Sequence, residues 1–168
     1  MFQPKQTVLV DANVIIEAHR SNCWKALADY FSLHTVETVV VETQTGAHNR
    51  AAADTIDNTM LRASLSKIYD VTETERADFR VSFPGVLLDD GELDLMIYAG
   101  SLSGHVWMLN SPDKASVKHA MARQWEDRLV SLEDMAKHLK LRCSPFQNNY
   151  TASWLSQYKM SLFLGTKK

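Results

Sequence analysis

Only two cysteines occur among the 168 residues, Cys23 and Cys143, and 120 positions separate them. They form no Cys-x-x-Cys pair, so spacing excludes a disulfide scaffold and a thiolate zinc finger. No run of ~18 apolar residues exists to span a membrane. The opening segment, MFQPKQTVLVDANVII, has no basic region ahead of an apolar stretch and carries Asp11 inside its first apolar run. It does not read as a secretory leader. Proline, glycine and serine form no linker, and no internal repeat occurs. Hydrophobic residues make up 45% and charged residues 23%, the balance of an ordinary globular chain rather than a disordered acidic one. These absences lead us to expect one domain with its own core, in a reducing cytoplasm, with no membrane association.

The one-sided shortage is cationic. No Lys or Arg lies between Arg80 and Lys114, a window that holds Asp89, Asp90, Glu92, Asp94 and Asp113. Residues 1–113 carry 8 Lys+Arg against 16 Asp+Glu, whereas residues 114–168 carry 10 against 4. Such a split is either a solvated acidic face or a cation-binding centre beside a basic half that holds a polyanion.

Periodicity places the elements. Thr7–Val10 reads as a short buried strand ending at Asp11, and Ala12–Arg20 and Trp24–Leu33 read as helices. In LHTVETVVVE, residues 33–42, β-branched residues favour strand, yet Thr38 could cap a helix whose first turn contains Val41 and Glu42. An apolar stripe of Ile56, Met60, Leu61, Leu65 and Ile68 predicts a helix over 51–68. Thr72-Glu73-Thr74-Glu75 is a capping box that opens a helix to about Val81. In GELDLMIYAGSL, Gly91 opens a helix with Leu95, Met96, Ala99 and Leu102 on one face. Val106–Leu109 reads as a buried strand, followed by the turn Asn110–Asp113 and a helix over Ala115–Ala122. Arg128–Ser131 reads as another strand. Ser131–Asp134 caps a helix over Leu132–Leu139, and Tyr150–Leu164 is amphipathic with Trp154, Leu155, Tyr158, Leu162 and Phe163. Strands alternating with helices predict an α/β fold, a mostly parallel central sheet covered on both faces.

Ligands of such sheets bind beyond the carboxyl ends of the strands. Asp11 and Asp113 each follow a strand and project to that edge, and Glu42, Glu92 and Asp94 can reach it from helix starts. A carboxylate at a helix start often serves only as a cap. Asp11 is harder to dismiss, because burying an unpaired charge at the end of an apolar strand is costly. Converging carboxylates repel one another, and a hard divalent cation such as Mg²⁺ or Mn²⁺ relieves that repulsion.

The quoted motifs resemble those of PIN-domain nucleases. VLVDANVII is similar to the family's opening motif and aligns Asp11 and Asn13 with it. Glu42 matches the second acid. GELDLMIYA is similar to both forms of the third motif, so Glu92 or Asp94 is the third acid. LNSPDKAS resembles the fourth and supplies Ser111 and Asp113. The resemblance covers about residues 7–140 and implies a three-layer α/β/α sandwich over 1–142, with 143–168 as a helical extension packed on it. Departures are a long segment over 43–88, Pro112 before the last acid, and no placeable motif after Cys143. The resemblance implies a Mg²⁺- or Mn²⁺-dependent ribonuclease, similar to the toxins of toxin–antitoxin pairs in the VapC group. It implies metal ligation by Asp11 and Asp113, completed by Glu42 with Glu92 or Asp94, and positioning by Asn13 and Ser111. It also implies an RNA substrate such as tRNA or mRNA, an antitoxin protein and a homodimer.

Candidate phosphate contacts are Arg50, Lys114 and Lys118, against the plain alternative of a solvated helix face. The four tryptophans could stack bases, although Trp24, Trp107, Trp125 and Trp154 mostly sit in core-like patterns. The six histidines show no ligand pairing and read as surface or capping residues. A haloacid-dehalogenase-like phosphatase would need a second Asp where Asn13 stands. The reading from a different class is a PIN-fold module that binds RNA or protein with little catalysis.

Overall fold

The structure is a computed structural model that describes residues 2–45 and 55–165. Among the described residues four strands, β1 (Thr7–Val10), β2 (Ser32–Val36), β3 (Lys67–Tyr69) and β4 (Trp107–Asn110), form one sheet in the order β3-β2-β1-β4. Every pairing among them is parallel. The chain steps from β1 to β2 to β3 in one direction, then returns past two strands to β4. Right-handed crossovers place the helices of the outward steps and of the return on opposite faces. The result is an α/β fold with helices on both sides, consistent with a three-layer sandwich.

The outward connections are α1 (Ala12–Arg20) with α2 (Trp24–Tyr30), then α3 (Glu37–Gln44) with α4 (Asn58–Ser64). The return carries α5 (Glu73–Ser82) and α6 (Asp90–Ser101). After β4 come α7 (Lys114–Ala122), α8 (Leu132–His138) and α9 (Ala152–Phe163), with α9 packed on α7 and α8. Val8, Leu9, Leu33, Val36 and Leu109 from the strands meet Ile15, Leu27, Leu95, Met96 and Met135 from the helices in one core. No described helix is long and apolar enough to cross a membrane.

Four local expectations are corrected. The ambiguous stretch 33–42 is both forms in turn, strand β2 and then α3, which starts after Val36 with no side-chain cap. Thr38 is not that cap; its hydroxyl donates to Asp94. The helix over 51–68 contracts to α4, because Asp57 caps it by accepting from Met60 N at 2.8 Å. Residues 51–54 lie outside the described residues, Met60 is exposed, and Ile68 belongs to β3, paired with β2. Arg128–Ser131 is not a strand. A 3₁₀ turn takes Glu126–Arg128 and Ser131 already caps α8, which leaves a single bridge, Leu109 to Leu129. On α9, Leu155 is buried while Phe163 is 81% exposed.

The segment after α8 is tied to α1. Arg20 Nη2 donates to Pro145 O at 2.7 Å, Gln147 N to Glu17 Oε1 at 2.8 Å, and Ser144 N to Ser21 O at 3.2 Å.

Candidate functional site

Register brings the first two acids together. Val10 pairs with Asn110 across β1 and β4, so Asp11 and Ser111 leave neighbouring strands side by side. From β1 the chain turns to one side of the sheet, and β4 lies on the other. This is the crevice between diverging connections where open α/β sheets bind ligands. Ser111 Oγ donates to Asp11 Oδ2 at 2.6 Å, and Asp11 Oδ1 accepts from Val14 N at 3.0 Å, capping α1. Asp11 is only 3% exposed. Burial pushes its carboxyl up to about 6, against the Ser111, Val14 and Asn13 hydrogen bonds that favour the ionised form, and the Asp113 charge adds to the rise.

Asp113 caps α7, with Oδ1 accepting from Ala115 N at 2.6 Å and Ser116 N at 3.1 Å. Glu92 lies in the first turn of α6. There it forms a capping box with Asp89: Asp89 N donates to Glu92 Oε2 at 3.2 Å, and Glu92 N donates to Asp89 Oδ1 at 2.8 Å. Burial, then the carboxylates of Asp113 and Asp89, push Glu92 up to about 8. The Asp113 side chain beside Glu92 adds a further small push toward the protonated form. Glu42 arrives from the second turn of α3, not the first, and its Oε1 accepts from Gly91 N at 3.1 Å. Burial and then Asp89 raise it, with Asp11 and Asp90 adding smaller increments.

Asp94 is not part of this cluster's charge. It is 1% exposed, and Arg76 grips both of its oxygens, Nε to Oδ1 and Nη2 to Oδ2, each at 2.7 Å. The Thr38 hydroxyl adds a third bond. The structure thus separates the two candidates for the third acid: Glu92 faces Asp113, and Asp94 closes an internal ion pair. Asn13 is exposed in the first turn of α1. Lys114 and Lys118 are exposed on α7. Arg50 lies outside the described residues.

Other residues join the site without a sequence signal strong enough to nominate them. Asp89 supplies negative charge to both Glu42 and Glu92. A Cβ on Gly91 would lie 2.5 Å from Glu42 Oε2, so only glycine leaves room for that carboxylate. Tyr150 is buried, and its phenol is raised by burial and by the Asp11 charge. One bland expectation also changes. His119 is neither surface nor cap, being 4% exposed among Phe79, Phe83 and Trp125, with Nε2 unpartnered among the described residues. Trp24 and Trp107 are buried, while Trp125 and Trp154 are only partly so. Burial pushes the Cys23 thiol up to about 12, which removes it as a thiolate nucleophile.

The donor set Asp11, Glu42, Glu92 and Asp113 consists of carboxylate oxygens, the ligand chemistry of a hard divalent ion. Among the described residues no group of three His, Cys, Asp or Glu side chains is already gathered for an ion. Each of these four acids instead holds a backbone N–H near the start of a helix. Burial first and mutual repulsion second raise the carboxyls of Asp11, Glu42 and Glu92, and a cation would offset both. No protein-family model matches the chain, and no curated protein matches it.

Proposed function

We propose that this chain is a divalent-metal-dependent endoribonuclease of the PIN type, the toxin of a toxin–antitoxin or defence pair. The observation that carries the reading is the meeting of Asp11, Ser111 and Asp113 at the β1/β4 crevice, with Glu42 and Glu92 facing them and, among the described residues, no compensating Lys or Arg in their hydrogen bonds. When bound, Mg²⁺ or Mn²⁺ supplies the activated water and the charge stabilisation that phosphodiester hydrolysis needs. Asp11 and Asp113 would hold the ion, with Glu42 and Glu92 completing the site. Ser111 Oγ fixes the Asp11 carboxylate by its 2.6 Å bond, as outer hydrogen bonds orient ligands elsewhere. Glu92 holds a proton at its carboxyl in the metal-free state and would release it as the ion binds. Asn13 and Lys118, both exposed, would meet substrate. An antitoxin and a second copy of the chain are the proposed protein partners.

A binding module with this fold and little catalysis is the second reading, favoured by the use of all four carboxylates as holders of backbone N–H groups. Incubation of a labelled tRNA and mRNA pool with Mn²⁺, Mg²⁺ or EDTA separates the two. Cleavage that needs the metal and is lost in Asp11→Asn supports the nuclease. The amide keeps an oxygen for Val14 N and an NH₂ for Ser111 Oγ, so the fold is expected to survive. A folded wild type that cuts nothing under either metal supports the binding module.

A further inference from the structure

The C-terminal helix brings two aromatic rings to the edge of the acidic site. Trp154 and Tyr158, one turn apart on α9, stack with centroids 5.6 Å apart and planes at 20°. Tyr158 Oη donates to Lys114 O at 3.2 Å, and Lys114 directly follows Asp113. Lys114 Nζ lies 5.6 Å from the centre of the Tyr158 ring. Burial and the Asp113 charge raise the Tyr158 phenol, which places that ring within electrostatic reach of the cluster. Both rings and Lys114 line a groove of about 560 Å³ whose walls also include Gln157 and Ser161 and contain no carboxylate.

We infer that this groove is a nucleotide subsite, in which Trp154 and Tyr158 stack an unpaired base of a single-stranded RNA and Lys114 meets its phosphate. The inference rests on the nuclease reading and names the form of its substrate. Two observations favour this occupant over a basic peptide. The groove offers a cation and no anion. Lys114 and Lys118 are exposed four residues apart on one face of α7, spaced as successive phosphate contacts. Base–aromatic stacking needs only a π-face, which the bases of a duplex do not present. Trp154 and Tyr158 are positioning residues here: they hold the strand so that its next phosphate lies over Asp113.

The test uses the full chain in EDTA, with a fluorescently labelled single-stranded oligoribonucleotide and the same sequence as a duplex. The single strand is expected to bind more tightly and to quench tryptophan emission. Trp154→Ala should weaken single-strand binding about ten-fold or more, the size of one lost base stack. Lys114→Gln, an exposed change that leaves the fold alone, should weaken it and lower the slope of log affinity against log salt by about 0.7. If Trp154→Ala melts early, Lys114→Gln and Trp154→Phe carry the test, with Phe retaining most of the affinity. Unchanged affinity in folded Trp154→Ala, or in Lys114→Gln, overturns the subsite. A wild type that binds no single strand also overturns it and turns the groove over to a protein partner. Metal-dependent cleavage with undiminished binding in Trp154→Ala would sink the subsite and spare the nuclease. Binding lost in Trp154→Ala, in a chain that never cleaves, would do the reverse.

Discussion

An alanine methyl at position 91 would have to displace the Glu42 carboxylate, which now lies against Gly91 N at 3.1 Å. That carboxylate ends a flexible side chain, so the displacement strains the fold little, and alanine favours a helix over glycine by about 1 kcal/mol. Gly91→Ala is therefore expected to keep its stability within about 1 kcal/mol in urea titration. Its metal-dependent cleavage should fall about 10–100-fold, as when a ligand loses its support. Full activity in this variant would take Glu42 out of the site. Asp11 and Asp113 stood out in the sequence as single candidates because each follows the end of a short apolar strand. The choice between Glu92 and Asp94 was not legible there. Two positions apart on a helix point about 200° from each other, so one faces the crevice and one the interior. Nothing local states which face the neighbouring elements cover.

Arg76 joins α5 to α6 by gripping Asp94, and the pair is nearly closed to solvent on the acid's side. Removing one partner of a buried pair strands the other charge, at a cost of about 3–5 kcal/mol. Arg76→Leu should lose stability of that order in chemical denaturation, and adding Asp94→Asn should restore most of it. A loss well under 1 kcal/mol would mean that Asp94 does not depend on Arg76 and is free to act as a ligand. The capping boxes at Thr72–Glu75 and Ser131–Asp134 were readable, since both halves of the device lie within four residues. The failures came where an element depends on a distant partner. Lys67–Tyr69 is a strand because β2 offers it an edge, and Leu129–Val130 is not one because a turn and a cap claim its neighbours.

A buried histidine and a half-buried glutamate set opposite pH trends on the stability of the chain. Burial and the nearby Arg123 charge hold His119 down at about 4, against 6.5 when unfolded. Between these values the unfolded chain binds a proton that the native chain refuses, so stability falls as pH drops from 6.5 toward 4. Over that window wild type should lose up to about 3 kcal/mol relative to His119→Phe. Glu92 runs the other way. Its native value near 8 exceeds the unfolded 4.5, so without metal stability falls as pH rises between them. Glu92→Gln keeps the capping box and should flatten this alkaline limb, as should Mg²⁺ or Mn²⁺ in the wild type. Melting curves of the three proteins from pH 4 to 8.5, with and without metal, read both trends. A wild type that tracks His119→Phe down to pH 4, or Glu92→Gln up to pH 8, would refute the corresponding burial.

Composition and periodicity were enough for the α/β class and for the two strands around Val8–Val10 and Trp107–Leu109, because these depend on neighbours within a few residues. Three matters needed the packed chain. Strand register made Ser111 the partner of Asp11 across 100 positions. Helix packing gave Asp94 to Arg76 and left Glu92 with Asp113. The return of the C-terminal segment over α1 and α7 brought Tyr150, Trp154 and Tyr158 to a site whose last acid lies 37 residues before the first of them. Contacts between residues far apart in the chain are set by which surfaces exclude water together, and that is a property of the assembled core rather than of any local pattern.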